Sequence, residues 1–174
     1  MIRVASQLTF CSPQEILRRA VVEQDEQKRV MRLFSLDECI VESAKTFFFD
    51  GIISSGITSV KANATETNNL LAQYQYIDVS ESIPTKIDVS DKPLLLDFGT
   101  NLAEEINKQL KLLTPALLPF SIFEIIAACT YYPKLGLGKE AALLPNTTTQ
   151  LILWEGVDLV NKRIKGNTKI REIN

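Results

Sequence analysis

This sequence predicts an α+β protein: a small β-sandwich assembled from strands at both ends of the chain, with two or more helices between them. Three observations carry that expectation. Residues 1–60 contain β-type segments separated by short turn-like stretches, at the spacing of a meander. Residues 101–132 repeat apolar side chains at helical intervals. Beyond Gly136 and Gly138 the text returns to β-type runs. With 174 residues and 45% hydrophobic content, a single domain, 1–174, with a sizeable core is expected.

The N-terminal strands fill 1–60 as four segments, 1–10, 16–23, 29–36 and 46–53. Between them lie Cys11-Ser12-Pro13, Gln24-Asp25-Glu26-Gln27-Lys28 and Asp37-Glu38, which are turn-like or charged. Runs such as Arg19-Ala20-Val21-Val22-Glu23 alternate imperfectly, as strands do when one face meets a core. Residues 61–93 read as an irregular segment, with a polar run over 63–69, a strand or short helix over 70–79, and Pro84 and Pro93 as breakers. Leu94-Leu95-Leu96-Asp97-Phe98 is a short buried strand that opens a unit of one strand and two helices over 94–135.

Asn101 is placed to cap the first helix, Glu104 stands at its third position, and Leu102, Ile106, Leu110 and Leu113 share a face. Glu104 precedes Lys108 by one turn, a favourable pairing, and Pro115 is expected to close the helix. Ser121 and Glu124 have the spacing of a capping box for a second helix, with Phe120 and Ile125 as its hydrophobic staple. Pro133 lacks an amide donor and should end that helix near Tyr132. The C-terminal strands, within 143–174, are 150–155, a region over 157–164, and a last piece at 168–173.

The chain contains no histidine. Neutral imidazole is the commonest ligand for zinc, nickel and non-haem iron and the usual base near neutral pH. Ser-His-Asp and Cys-His catalysis and the H-E-x-x-H metalloproteases are therefore excluded. Cys11, Cys39 and Cys129 are too widely spaced for a C-x-x-C pair and read as buried thiols. A net charge of −2 from 21 acidic and 19 basic residues, with no basic stripe, argues against a nucleic-acid or anionic-membrane partner. The first seven residues have no apolar signal core, and the most apolar stretch, 112–129, is broken by Pro115, Pro119, Ser121 and Glu124. A cytoplasmic protein that does not span a membrane is expected. No cofactor is expected either, because Gly136-Leu137-Gly138-Lys139 follows a helix and lacks phosphate-loop spacing.

Two ends of the chain resemble one known family. Leu143-Leu144-Pro145-Asn146-Thr147-Thr148-Thr149-Gln150-Leu151-Ile152-Leu153-Trp154 is similar to the L-x-P-G-x-x-A-D-L-V-L-W segment of the amidohydrolase superfamily, with Asn146, Thr149 and Gln150 in place of Gly, Ala and Asp. Residues 128–137 are similar to the helix that precedes it. Asp50-Gly51-Ile52-Ile53-Ser54-Ser55-Gly56-Ile57-Thr58 resembles the phrase P-G-x-I-D-x-H-x-H, and Leu96-Asp97-Phe98-Gly99-Thr100-Asn101 resembles the late-barrel G-T-D. The resemblance implies a composite β-sandwich that carries a metal-dependent hydrolase barrel. It also implies that the metal-binding histidine positions are Gly56 and Thr58, and that Asn101 replaces the catalytic Asp beside Asp97. Thirty-five residues, 59–93, separate the two phrases, whereas a complete (β/α)₈ barrel takes about 250 residues. Most of the barrel has no room.

Gly56, Thr58, Asp97 and Asn101 are thus the vestigial site positions, with no catalytic residue and no metal ligand expected. Asp50 and Asp97 could form a carboxylate pair, but Asp at strand ends commonly satisfies turn amides. Trp154, Tyr131 and Tyr132 are expected as core or interface anchors. The leading expectation is a non-catalytic binding or assembly module, a homodimer or larger homo-oligomer, because the face left by a missing barrel needs a cover. The alternatives are a divergent hydrolase of amide or cyclic amide bonds, using carboxylate ligands or a partner chain, and a small-molecule binding domain around Gly56, Thr58 and Asn101.

Overall fold

The computed structural model describes residues 1–38, 45–61 and 72–174. Cys39 and the polar run 63–69 lie outside the described residues. In chain order the strands are β1 (Ile2–Ser12), β2 (Glu15–Arg18), β3 (Ala20–Gln24), β4 (Val30–Ser35), β5 (Phe47–Ser55), β6 (Gln75–Asp78) and β7 (Leu94–Asp97). The helices α1 (Ala103–Leu117), α2 (Ile122–Ile126) and α3 (Tyr132–Gly136) follow, and β8 (Leu151–Glu155) and β9 (Lys169–Ile173) close the chain. The α+β class is as expected. Six strands run β4-β3-β1-β5-β8-β9 in one mixed sheet, with β2 paired to β1 as the seventh; β6 and β7 form a separate parallel pair. The large sheet is not closed into a barrel.

Its sandwich character comes from folding over itself. Val4, Val22, Val30, Ile53, Leu151, Leu153 and Ile173, drawn from β1, β3, β4, β5, β8 and β9, pack into one core on one face. The fold-over is held by backbone bonds: Val30 donates to the Thr147 carbonyl at 2.8 Å, and Asn146 donates to Val30 at 2.7 Å. Asn146 has φ of 75°, which Asn tolerates better than other non-glycine residues and which accounts for Gly in the phrase it resembles. The opposite face, with Ile52, Ile152, Trp154 and Ile170, packs against α1, α2 and the helical turn behind it. Adjacent residues on β5 and β8 thus feed different cores, the period-2 alternation of a strand buried on both sides. Trp154 is fully buried and its indole Nε1 donates to Ser54 Oγ at 3.0 Å, so it is a core anchor.

Several expected elements differ. The 16–23 segment is two strands, β2 and β3, separated at Arg19, whose φ of 47° breaks the extended run. Residues 157–164 are turns with one bridge, Asp158 to Arg163, instead of a strand. Pro115 does not close α1, which continues to Leu117. Lys111 and Pro115 are exposed, so the carbonyl that Pro115 leaves without a donor is open to water. Asn101 does not cap α1 either: Leu102 is the N-cap and makes no side-chain cap bond. The capping box of Ser121 and Glu124 is present in both directions, at 3.2 and 2.7 Å, and the Glu104–Lys108 pair forms at 3.0 Å.

Candidate ligand cleft

Pro133 shapes the site. The second helix does not stop near Tyr132; it passes through a π-helical turn over Ala127–Tyr131 and continues as α3 to Gly136. Without an N–H, Pro133 cannot bond the Cys129 carbonyl four residues back, and its ring crowds that oxygen. The helix widens there, and the backbone amide of Thr58 donates to the Cys129 carbonyl at 3.2 Å. A single proline thereby ties the loop after β5 to the helix, and π turns of this type recur at functional sites.

Beside this tie lies a cleft of about 230 Å³ lined by Gly56, Thr58, Asn101, Lys134, Thr149, Gln150 and Glu172, with Ile57 and Ile152 as its apolar lining. Three of the four positions singled out in the sequence meet here. Thr149 is the hub: its Oγ1 accepts from the Gly56 amide at 3.1 Å and from Lys134 Nζ at 3.3 Å. Asn101 Oδ1 accepts from the Ser59 amide at 3.3 Å. Lys134 is half-buried on α3. Burial, with Lys139 nearby adding to it, lowers its ammonium from the ordinary 10.5 to about 8.

Asp97, the fourth position, lies behind the cleft. Fully buried at the end of β7, it accepts from Ser59 Oγ at 2.7 Å, the Lys61 amide at 2.7 Å, the Gly99 amide at 2.9 Å and Tyr76 Oη at 3.3 Å. Four donors leave this carboxylate no vacant lone pair facing the cleft. It is a knot that joins β6, β7 and the loop after β5. Asp50 is exposed on β5, bonded to Gln7 at 2.9 Å, and shares no hydrogen-bond partner with Asp97. Tyr131 and Tyr132 stand edge to face at 5.5 Å, and Tyr132 meets Tyr74 at 5.4 Å, an aromatic group at the border of the core.

The cleft does not fit the metal centre that the resemblance implies. Gly56 has no side chain, and a Cβ built there would meet the Gln150 carbonyl at 3.2 Å, so a side chain at this position needs the Gln150 backbone to give by a few tenths of an ångström. Lys134 adds a cation to the cleft lining. Among the described residues no three His, Cys, Asp or Glu side chains converge. No helix of the described residues is long and apolar enough to cross a membrane.

Sequence reasoning did not mark Lys134 or Glu172. Thr149 and Gln150 carried a signal, since both depart from the resembled phrase, and both line the cleft. A larger cavity, about 400 Å³, opens between residues 89–94 and α2, with Val89, Leu94, Phe120, Phe123 and Tyr132 in its walls. Glu124, one of its charged neighbours, is occupied by the capping box. Cys11 and Cys129 are buried free thiols, and burial, aided by Glu15, pushes Cys11 up to about 12.

No protein-family model matches the chain, and no curated protein does. Among solved structures, an N-acetyl-D-glucosamine-6-phosphate deacetylase from Mycobacterium smegmatis is similar over 67% of this chain and 30% of its own, at 10% identity and a TM-score of 0.27. A protein assigned as a prolidase from Bifidobacterium longum is similar over 44% of this chain and 22% of its own, at 17% identity and a TM-score of 0.26. The chain spans less than a third of the length of either.

Proposed function

We propose that this protein is a non-catalytic, amidohydrolase-like binding module whose ligand sits in the cleft between β5, α3 and β8. The observation that carries the reading is the Gly56 wall: the positions that resemble metal-histidine sites hold a glycine packed against Gln150 and a threonine whose amide is tied to Cys129, with Lys134 beside them. A cleft of that composition binds by hydrogen bonds and charge and supplies no base of the family type. The test is hydrolysis of a cyclic amide such as a hydantoin, with and without added zinc or manganese. The reading expects no turnover above buffer under either condition. Turnover that depends on added metal contradicts it and supports a divergent hydrolase.

Assembly into a homo-oligomer is the second part of the proposal, and it rests on β5. Its last pair with β8 is Ile52 with Trp154, so among the described residues no strand flanks the β8-side edge over 47–50. Phe47 and Phe48, at 50% and 62% exposure, lie on that stretch. An open strand edge with two exposed aromatic rings is the kind of surface that a second copy covers.

A further inference from the structure

We infer that the cleft takes a small zwitterion of the α-amino-acid class, with its carboxylate against Lys134 and its ammonium against Glu172. The inference rests on the reading of the cleft as a binding site and names its ligand. Lys134 comes from α3 and Glu172 from β9, where it stands opposite Ile152 and so on the helix-facing side of the sheet. Both line the same cavity. Neither is in an ion pair with the other or with any other described residue. Lys134 has only the neutral Thr149 hydroxyl, at 3.3 Å.

Two opposite charges held on separate elements, half-buried and not joined, present one cationic and one anionic group to the same cleft. A ligand that carries both charges neutralises both walls at once, whereas a simple anion leaves Glu172 opposed and a simple amine leaves Lys134 opposed. Size limits the choice. The volume, about 230 Å³, is the share of roughly seven or eight waters, which suits a small amino acid. Asn101 turns its Oδ1 to Ser59, and its Nδ2 has no partner among the described residues, so it can donate to the ligand carboxylate beside Lys134.

The experiment is titration calorimetry on the untagged protein at neutral pH, with alanine, propionate and propylamine as probes. Alanine is expected to bind at one site per chain, and propionate and propylamine to bind at least tenfold more weakly. Lys134→Met and Glu172→Gln should each weaken alanine by tenfold or more while circular dichroism shows the fold retained. Should either variant fail to fold, the three-probe comparison on the native protein still decides. Equal affinity for alanine and propionate, no binding of alanine, or alanine binding unchanged in both folded variants overturns the assignment. These failures are distinct from failure of the non-catalytic reading, which shows as turnover and not as loss of binding.

Discussion

Gly51 and Lys134 are the two residues whose local physics is most sharply defined. At Gly51 φ is 142°, and a Cβ would stand 2.2 Å from the Trp154 carbonyl, in the strand pair that holds β5 to β8. Gly51→Ala must both strain the backbone and open that pair. Urea unfolding followed by the fluorescence of Trp154, the sole tryptophan, should show a loss of about 2 kcal/mol or more. Lys134 acts through its charge. Its folded pKa, about 8, lies below the ordinary 10.5, so below 8 the folded state carries a charge that its surroundings disfavour. Between about 8 and 10.5 the unfolded chain binds more protons than the folded one, and stability rises with pH across that window. Lys139, Glu172 and Lys28, which is bonded to Gln150, are the other charged groups around the cleft. Lys134→Met removes the titration. The variant should therefore be more thermally stable than the native protein at pH 7, with the gap narrowing as pH rises through 10. A gap that widens with pH would contradict the account of Lys134.

Among the elements, the helix behind the cleft is the one in which a single atom group decides the geometry. Pro133→Ala restores the missing amide, which competes with Thr58 for the Cys129 carbonyl. Hydrogen exchange should report the Thr58 amide released, roughly fivefold faster, since a net hydrogen bond is worth about 1 kcal/mol. Unchanged protection of Thr58 would mean that the loop is held by something else. Here the sequence was partly legible. The capping box at Ser121 and Glu124 and the buried face of Ile106, Leu110 and Leu113 were readable because they depend on neighbours within one turn. What Pro133 does was not readable, because its effect depends on whether another segment can supply a donor to Cys129, and Thr58 lies far away in the chain. Pro115 shows the converse: on an exposed face water supplies the donor and the helix continues. Arg19, with its positive φ, split one apolar run into two strands for a reason that no alternation pattern encodes.

At the scale of the whole molecule, the sheet folds over its own apolar face and covers the other with helices, so both inner faces are closed within one chain. Gly56, Thr58 and Asn101 could be placed together from phrases at separate points of the sequence, because the strand ends that carry them converge at one cleft. Lys134 and Glu172 could not, since their meeting depends on how α3 and β9 frame that cleft. The open edge of β5 exposes Phe47 and Phe48, and light scattering at micromolar concentration should give a mass of two chains or more; a clean monomer would count against assembly there. The central claim is that the family-like metal positions hold no metal ion. Its most direct test is elemental mass spectrometry of the untagged protein after gel filtration in metal-free buffer. The account predicts zinc, manganese, iron and nickel all far below one ion per chain, and near-stoichiometric content of any of them would contradict it.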